Sequence, residues 1–179
     1  MTNSSTTISR AHHTNAAQGT EKNHTLIIFV ADRPGAIDRV VGVLRRRRSQ
    51  LQSLSLGPGT QPETFRVTAQ VRDAEVVIDH LIEQIRKIID VQDVTQVVPE
   101  RAITREMILV QLDVTAANSQ AIVKAGEPFA ARVVNETNSS ITLEATGSIE
   151  QIDQLLVALQ GYTIREIARS GSVVIAHNA

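Results

Sequence analysis

The feature that most constrains the fold is a short apolar run followed at once by a turn and an amphipathic helix pattern. Residues His24–Ala31 (HTLIIFVA) are long enough for one buried strand and too short for a helix. In the next segment, Asp32–Gly35 (DRPG), Pro34 can take the first helical position, where its missing N–H is not needed. One apolar stripe with helical spacing then follows, made of Ile37, Val40, Val41 and Leu44. The folded part of the chain therefore begins with a strand packed on a helix.

The elements that follow complete a β-α-β-β-α-β order. We predict two strands joined by a Gly- and Pro-rich turn, then a helix and a last strand that ends before Pro99. These predicted elements are Leu51–Leu56, Thr64–Val71, Glu75–Ile89 and Val91–Val98. The order is that of the ferredoxin-like fold, an α+β class in which both helices cover one face of an antiparallel sheet.

The second half of the sequence is a weaker variation on the first. Its predicted strands are Glu106–Val114, Ala131–Asn135, Ser140–Thr146, Thr163–Ala168 and Ser172–Ala176, with helices at Ala117–Ala125 and Ile149–Leu159. A shift of 74 positions aligns Thr68, Ile78, Asp79 and Leu81 with Thr142, Ile152, Asp153 and Leu155. We therefore predict a disordered tail (1–23) and two ferredoxin-like modules (24–98 and 104–179), with the polar stretch Pro99–Thr104 as their boundary.

Composition excludes several classes of function. The 18 basic and 19 acidic residues nearly cancel, so no overall field attracts nucleic acid or an acidic membrane. Without cysteine the chain has no disulfide or thiolate, and its five histidines lack metal-ligand spacing. No run of about 18 apolar residues predicts a membrane span. The N-terminal stretch is a poor secretory signal, although a degenerate transit peptide is an alternative, and we expect a cytoplasmic protein.

Charged residues show no assembled catalytic group. Asp38 and Asp79 fall on exposed helix faces, and Gly57–Thr60 (GPGT) lacks the Lys of a phosphate-binding loop. Arg45–Arg48 is either a solvated helix end or a contact for a partner protein. The same two interpretations, solvated ion pairs or docking, apply to a mixed-charge set made of Arg105, Glu106, Arg165, Glu166 and Arg169.

Several segments resemble one protein family. Residues Thr25–Leu54 resemble the start of an ACT domain, with its apolar strand, Pro-Gly turn and amphipathic helix that ends in basic residues. Five further motifs make the resemblance more specific: Leu54–Pro58 (LSLGP), Phe65–Thr68 (FRVT), Ile88–Val94 (IIDVQDV), Arg105–Val110 (REMILV) and Ile164–Gly171 (IREIARSG). Together they resemble the acetolactate synthase small subunits over about residues 24–176.

The resemblance implies a regulatory subunit with no active site of its own. It would bind and activate a catalytic acetolactate synthase subunit, which carries thiamine diphosphate, FAD and magnesium, while this chain holds no cofactor or metal. It would also confer feedback inhibition by valine or another branched-chain amino acid, in branched-chain amino acid biosynthesis. The family further implies a homodimer formed through the ACT domain, with the effector at the dimer interface.

The first strand-to-helix turn suits an amino-acid ligand. Gly35 lets a ligand approach the backbone, and the orphan N–H groups of Gly35, Ala36 and Ile37 suit a carboxylate. Asp32, Gln50 or a backbone carbonyl would accept the ammonium, while Ile37, Leu51 and a neighbouring subunit would enclose the side chain. The family commonly has Asn in place of Asp32 and Gln50. The predicted effector site is Asp32, Pro34, Gly35, Ala36, Ile37, Gln50 and Leu51; the alternative is that Pro34 and Gly35 only start a helix.

Two other functions stay open at this point. The chain could be a stand-alone ACT-type sensor that regulates a different enzyme. It could also be an RNA-binding protein of ferredoxin-like fold, but such domains stack bases on strand aromatics, and these strands offer only Phe29 and Phe65.

Overall fold

The first half of the chain folds into a four-stranded antiparallel sheet with two helices on one face. The structure is a computed structural model that describes residues 20–46, 50–115 and 117–177, except the side chain of Arg46. The predicted tail up to residue 19 and the end of the predicted Arg run lie outside the described residues. The elements of this first module are β1 (Lys22–Ala31), α1 (Ala36–Arg46), β2 (Gln50–Pro58), β3 (Thr64–Asp73), α2 (Glu75–Arg86) and β4 (Val91–Gln96).

The strand order β2-β3-β1-β4 matches the predicted ferredoxin-like topology. Alternate residues of β1 face the helices, because side chains in a strand point to opposite faces in turn. They pack with the apolar stripes of both helices in a core that includes Leu26, Ile28, Val30, Val40, Leu44, Ile78, Leu81 and Ile85. Helix α2 ends at Arg86, earlier than predicted, so that Ile89 is 87% exposed and Asp90 turns inward.

The second half repeats the same topology. After a 3-10 turn at Pro99–Arg101, its elements are β5 (Ala102–Asp113), α3 (Ser119–Gly126), β6 (Arg132–Glu136), β7 (Ser140–Gly147), α4 (Ile149–Ala158), β8 (Ile164–Arg169) and β9 (Val173–Ala176). The sheet order β6-β7-β5-β8 corresponds to that of the first module. The predicted internal repeat is visible in the core, where Ile152 and Leu155 on α4 are buried like Ile78 and Leu81 on α2. None of the described helices combines the length and apolar content that a membrane span requires.

Strand β5 runs through the predicted boundary and connects the modules. The sequence predicts a polar boundary over Pro99–Thr104 and a strand from Glu106, but β5 already begins at Ala102. Its first four residues pair with β9, in a register that places Ile103 opposite Ile175. The extra pairing partner satisfies backbone groups that a linker would leave to water, which explains why the strand starts early.

Strand β9 covers the outer face of the first module, although its hydrogen-bonded partner is β5. Val174 is 1% exposed and packs with Ile27 and Val97, on the face of the sheet away from the helices. Arg66 donates a hydrogen bond to the carbonyl oxygen of Val174, and partial burial lowers the pKa of Arg66 below its ordinary value. All four residues of β9 (VVIA) are apolar, so the side chains on one face of the strand can cover a neighbouring sheet.

This covering bears on the RNA-binding alternative. RNA-recognition domains of this fold stack bases on aromatics of the open sheet face. Here Phe29 lies on that face but is partly buried against Ile27, Val97 and Val174. Phe65 pairs with Val30 in the register and therefore lies on the helix side of the sheet. The face that would bind RNA is occupied by the chain itself.

Gly171 makes the sharp turn that directs the chain from β8 to β9. Its φ is +71°, in the left-handed region that residues with a Cβ rarely adopt. A Cβ there would lie 3.0 Å from Oγ of Ser55 and 3.3 Å from Cβ of Ser53, both on β2 of the first module. The Ser55 hydroxyl also donates to the carbonyl of Ser170 at 3.2 Å. The turn is thus pressed against the first module.

We expect Gly171→Ala to lower the free energy of unfolding by about 1–3 kcal/mol, because it adds left-handed strain and a close contact. Urea denaturation followed by circular dichroism measures the change. Gly161→Ala is the matched control, since Gly161 has no positive φ and open space around its Cβ position. Equal stability of the two variants would contradict this account of the turn.

Candidate effector site

The turn between β1 and α1 exposes unpaired backbone amides. Gly35 has φ +76°, so the helix cannot begin at Pro34 as predicted, and it begins at Ala36. The N–H of Ala36 donates to the carbonyl of Arg33 at 3.0 Å and is therefore already used. The N–H groups of Gly35 and Ile37 have no hydrogen-bond partner among the residues that the structure describes. Two of the three predicted amides remain available to an anion.

An ion pair between a half-exposed arginine and a buried carboxylate fixes the position of this turn. The side chain of Asp90 is 3% exposed and accepts from Nε of Arg39 at 3.0 Å and from its Nη2. The backbone carbonyl of Asp90 accepts from the N–H of Ala31 at 2.8 Å. Arg33 places its Nη1 3.9 Å from Oδ1 of the same carboxylate. Asp90 was not among the predicted site residues, although a single acid within the apolar run IIDV is a signal of a paired buried charge.

The other predicted residues on this turn surround the amides. Asp32 is exposed, and its N–H donates to the carbonyl of Glu63 at 2.8 Å. Pro34 is exposed as well, whereas Ile37 is half-buried and packs on the core of the first module. An exposed carboxylate and a partly buried apolar side chain therefore lie within three residues of the unpaired amides along the chain.

Gln50 and Leu51 lie at the opposite end of the sheet. Gln50 pairs with Arg72, which pairs on its other side with Asn23 near the start of β1. The turn follows Ala31, eight residues further along β1, so the two ends are roughly 27 Å apart at about 3.4 Å per residue. Within one chain the predicted residues therefore form two separate groups and not one site.

Comparison with known proteins identifies the family. A family profile described as "AHAS small subunit-like ACT domain" matches residues 26–93, and one described as "Small subunit of acetolactate synthase" matches residues 105–178. The chain is 34% identical over 153 residues to the acetolactate synthase small subunit of Mycolicibacterium smegmatis, covering 86% of this chain and 90% of that protein. This chain belongs to the acetolactate synthase small subunit family.

Two further comparisons follow, one with a plant small subunit and one with a solved structure. The chain is 28% identical over 158 residues to chloroplastic acetolactate synthase small subunit 2 of Arabidopsis thaliana, covering 88% of this chain and 33% of that protein. The chain thus spans about a third of the plant relative. The crystal structure of the Thermotoga maritima small subunit has a TM-score of 0.79 and 24% identity, covering 88% of this chain and 99% of that chain. That likeness confirms the predicted fold.

In this small subunit a partly buried polar network joins the two modules. Gln70 of β3 donates from Nε2 to Oγ of Ser172 at 2.7 Å, and Ser172 donates to Oε1 of Glu106. Arg169 donates from Nε to Oε2 of Glu106 and from Nη1 to Oδ1 of Asp153, the latter at 2.8 Å. We call these five residues the intermodule network.

The network corrects one prediction about the charged residues. The sequence allows Glu106 and Arg169 to be either solvated ion pairs or docking residues, but the Glu106 side chain is only 2% exposed and is bonded within the chain. Burial by itself would lower the pKa of Arg169, yet the hydrogen bonds and charges of Asp153 and Glu106 outweigh burial and raise that pKa. Arg169 therefore stays protonated and neutralises Glu106.

Replacing Arg39 by Gln tests the ion pair beneath the turn. We expect Arg39→Gln to lower the free energy of unfolding by about 1–3 kcal/mol, because the buried carboxylate of Asp90 loses its main donor. Arg72→Gln is the control, since Arg72 and its partner Glu21 are both more than half exposed and such pairs contribute about 0–1 kcal/mol. Urea denaturation measures both changes in stability, as shifts of the unfolding midpoint at an unchanged m-value. Similar losses of unfolding free energy in Arg39→Gln and Arg72→Gln would contradict the claim that the Arg39–Asp90 ion pair fixes the turn.

Proposed function

We propose that this chain is the non-catalytic regulatory subunit of an acetolactate synthase, and that its β1–α1 turn binds the carboxylate of a branched-chain amino acid such as valine. The observation that carries the proposal is the pair of unpaired amides on Gly35 and Ile37 at a helix start. Helix N-termini favour anions because their orphan N–H groups and the helix dipole point at the ligand. Asp32 beside them would accept the ammonium.

A second copy of the chain would complete this site. Strand β2 is an edge strand, and among the described residues only β3 pairs with it. If two copies joined their β2 edges antiparallel about a two-fold axis, the Gln50 end of one strand would lie beside the Pro58 end of the other. Pro58 lies at the same end of the sheet as Gly35. Gln50 and Leu51 of the partner would then approach the turn that they cannot reach within their own chain.

A shared site links effector binding to assembly. An effector that contacts both copies binds the dimer better than the monomer, so by mass action it shifts the population toward the dimer. Its influence on the catalytic subunit would follow from such a shift, since a ligand changes an equilibrium only by its differential affinity. The catalytic partner would carry thiamine diphosphate, FAD and magnesium and would act with this subunit in the cytoplasm.

Substitution of Gly35 tests the effector site. We expect Gly35→Ala to weaken valine binding roughly tenfold, because a Cβ strains a φ of +76° and lies 3.3 Å from Nη1 of Arg39. Isothermal calorimetry with valine, leucine and isoleucine measures the affinities. Gly42→Ala is the matched control on the same helix, with open space at its Cβ position. Unchanged affinity in Gly35→Ala would exclude this turn as the site.

Mixing with the catalytic subunit extends the same comparison. Both variants should raise the rate of acetolactate formation, whereas the Gly35→Ala mixture should need about tenfold more valine than the Gly42→Ala mixture for the same inhibition. Valine binding without any rise in rate on mixing would favour the alternative of a stand-alone sensor for another enzyme.

A charge on the β2 edge tests the dimer. Leu56 on β2 is 50% exposed, and Leu56→Lys would place two like charges near the two-fold axis of the proposed interface. We expect a dimer-to-monomer shift in sedimentation velocity and weaker valine binding in the same variant. Val76→Lys on α2, where Val76 is 67% exposed, should leave both unchanged. A Leu56→Lys protein that stays dimeric would contradict pairing through β2.

A further inference from the structure

A polar cavity of about 440 Å³ lies between the two modules, beside the intermodule network. Its walls come from β1, β2 and β3 of the first module and from α4, β5 and the end of β8 of the second. Small-molecule sites in proteins usually enclose roughly 300–1,000 Å³. The cavity is therefore large enough for a ligand of amino-acid size. Gln70, on its wall, pairs with Thr25, six residues and roughly 20 Å from the β1–α1 turn.

Several polar groups on the wall have hydrogen-bonding capacity that the chain leaves unused. Oγ of Ser53 is buried and has no hydrogen-bond partner, which is uncommon because buried polar groups are nearly always paired. Gln70 is 6% exposed and uses its amide N–H toward Ser172, whereas its Oε1 accepts from none of the described residues. The amide oxygen of Gln70 thus remains for a partner outside the protein, beside a buried hydroxyl that the described residues leave unpaired.

The charged groups on the wall offer one cationic donor and one anionic acceptor. Arg169 donates from Nε to Glu106 and from Nη1 to Asp153, and its Nη2 donates to no described residue. Asp153 accepts through Oδ1, while its Oδ2 has no described donor. Both oxygens of Glu106 are already occupied, by Arg169 and Ser172. Arg169 is shared between two carboxylates, so the unused donor is its Nη2 and the unused charged acceptor is Oδ2 of Asp153, whose side chain is 57% exposed.

Apolar surface completes the lining. Leu54 of β2 and Ile149, the first residue of α4, contribute to the same wall. A ligand that matched all these groups would carry a carboxylate for a guanidinium, an ammonium for a carboxylate and an amide oxygen, and a modest apolar side chain. A free α-amino acid has these three features on one carbon atom.

We propose that this cavity is a second, intermodule binding site for a zwitterionic α-amino acid with a small apolar side chain. The carboxylate would accept from Nη2 of Arg169, and the ammonium would donate to Oδ2 of Asp153 and Oε1 of Gln70. The side chain would lie against Leu54 and Ile149. Such a ligand bridges both modules and stabilises their relative placement, independently of the effector site at Gly35.

Chemical-shift mapping on the full-length chain locates the ligand. In ¹H–¹⁵N spectra titrated with L-leucine and L-valine, we expect saturable shifts at Ser53, Asp153 and Gly171. Asp153→Asn should weaken binding at these positions roughly tenfold, since it removes a charged acceptor. Asp79→Asn is the matched control, because Asp79 occupies the corresponding exposed position on α2. Leucinamide and isocaproate, which lack the carboxylate and the ammonium respectively, should each shift these resonances far less.

A second variant separates binding from folding. Ser53→Val removes an unpaired buried hydroxyl and fills part of the cavity, so the protein should fold while cavity binding is lost. Shifts confined to Gly35–Ile37, or equal affinity of Asp153→Asn and wild type at the cavity resonances, would overturn the second site and leave the effector proposal intact. Shifts confined to the cavity would support the second site and remove the effector proposal. No shifts at millimolar amino acid would overturn both.

Discussion

The arrangement of the two modules depends on a chain of hydrogen bonds that runs from the buried carboxylate of Glu106 through Ser172 to Gln70. A charge held away from water costs several kcal/mol unless it is paired and hydrogen-bonded. Glu106 lies on β5, and its partners Arg169 and Ser172 flank the turn into β9. Ser172 in turn accepts from Gln70 of the first module. Because Ser172 donates to Glu106, its oxygen is left to accept from Gln70, and this hydrogen bond links the two modules.

The same segment covers the first module. Beyond Gly171 the chain places β9 across the outer face of the sheet, where Val174 is buried with Ile27. A ferredoxin-like sheet with helices on one face leaves its other face open, and this chain closes it with its own C-terminal strand. The closure removes a surface that RNA-binding domains of the fold use, and among the described residues it leaves β2 and β4 as the edge strands of the sheet.

Two constraints, one local and one from a residue distant in sequence, fix the conformation of the β1–α1 turn. The local constraint is the left-handed conformation of Gly35. It leaves the N–H groups of Gly35 and Ile37 outside the hydrogen-bond pattern of the helix. The distant constraint is Asp90, which reaches the turn from the end of α2 and holds Arg39 over it. Preorganised amides bind an anion better than flexible ones, because less ordering entropy is lost on binding. The regulatory role that we propose depends on this rigidity.

The sequence by itself determined the two βαββαβ modules, since strand and helix periodicities are local and each apolar stripe marks the face that is buried. It also determined the family, through motifs such as DRPG and IREIARSG, and it located the glycine turn. Only the tertiary structure decided that β9 pairs with β5, that Glu106 is buried and that Gln50 lies far from Gly35. These outcomes depend on which strands become neighbours and in what register, and contacts between residues distant in sequence leave no periodic signal along the chain.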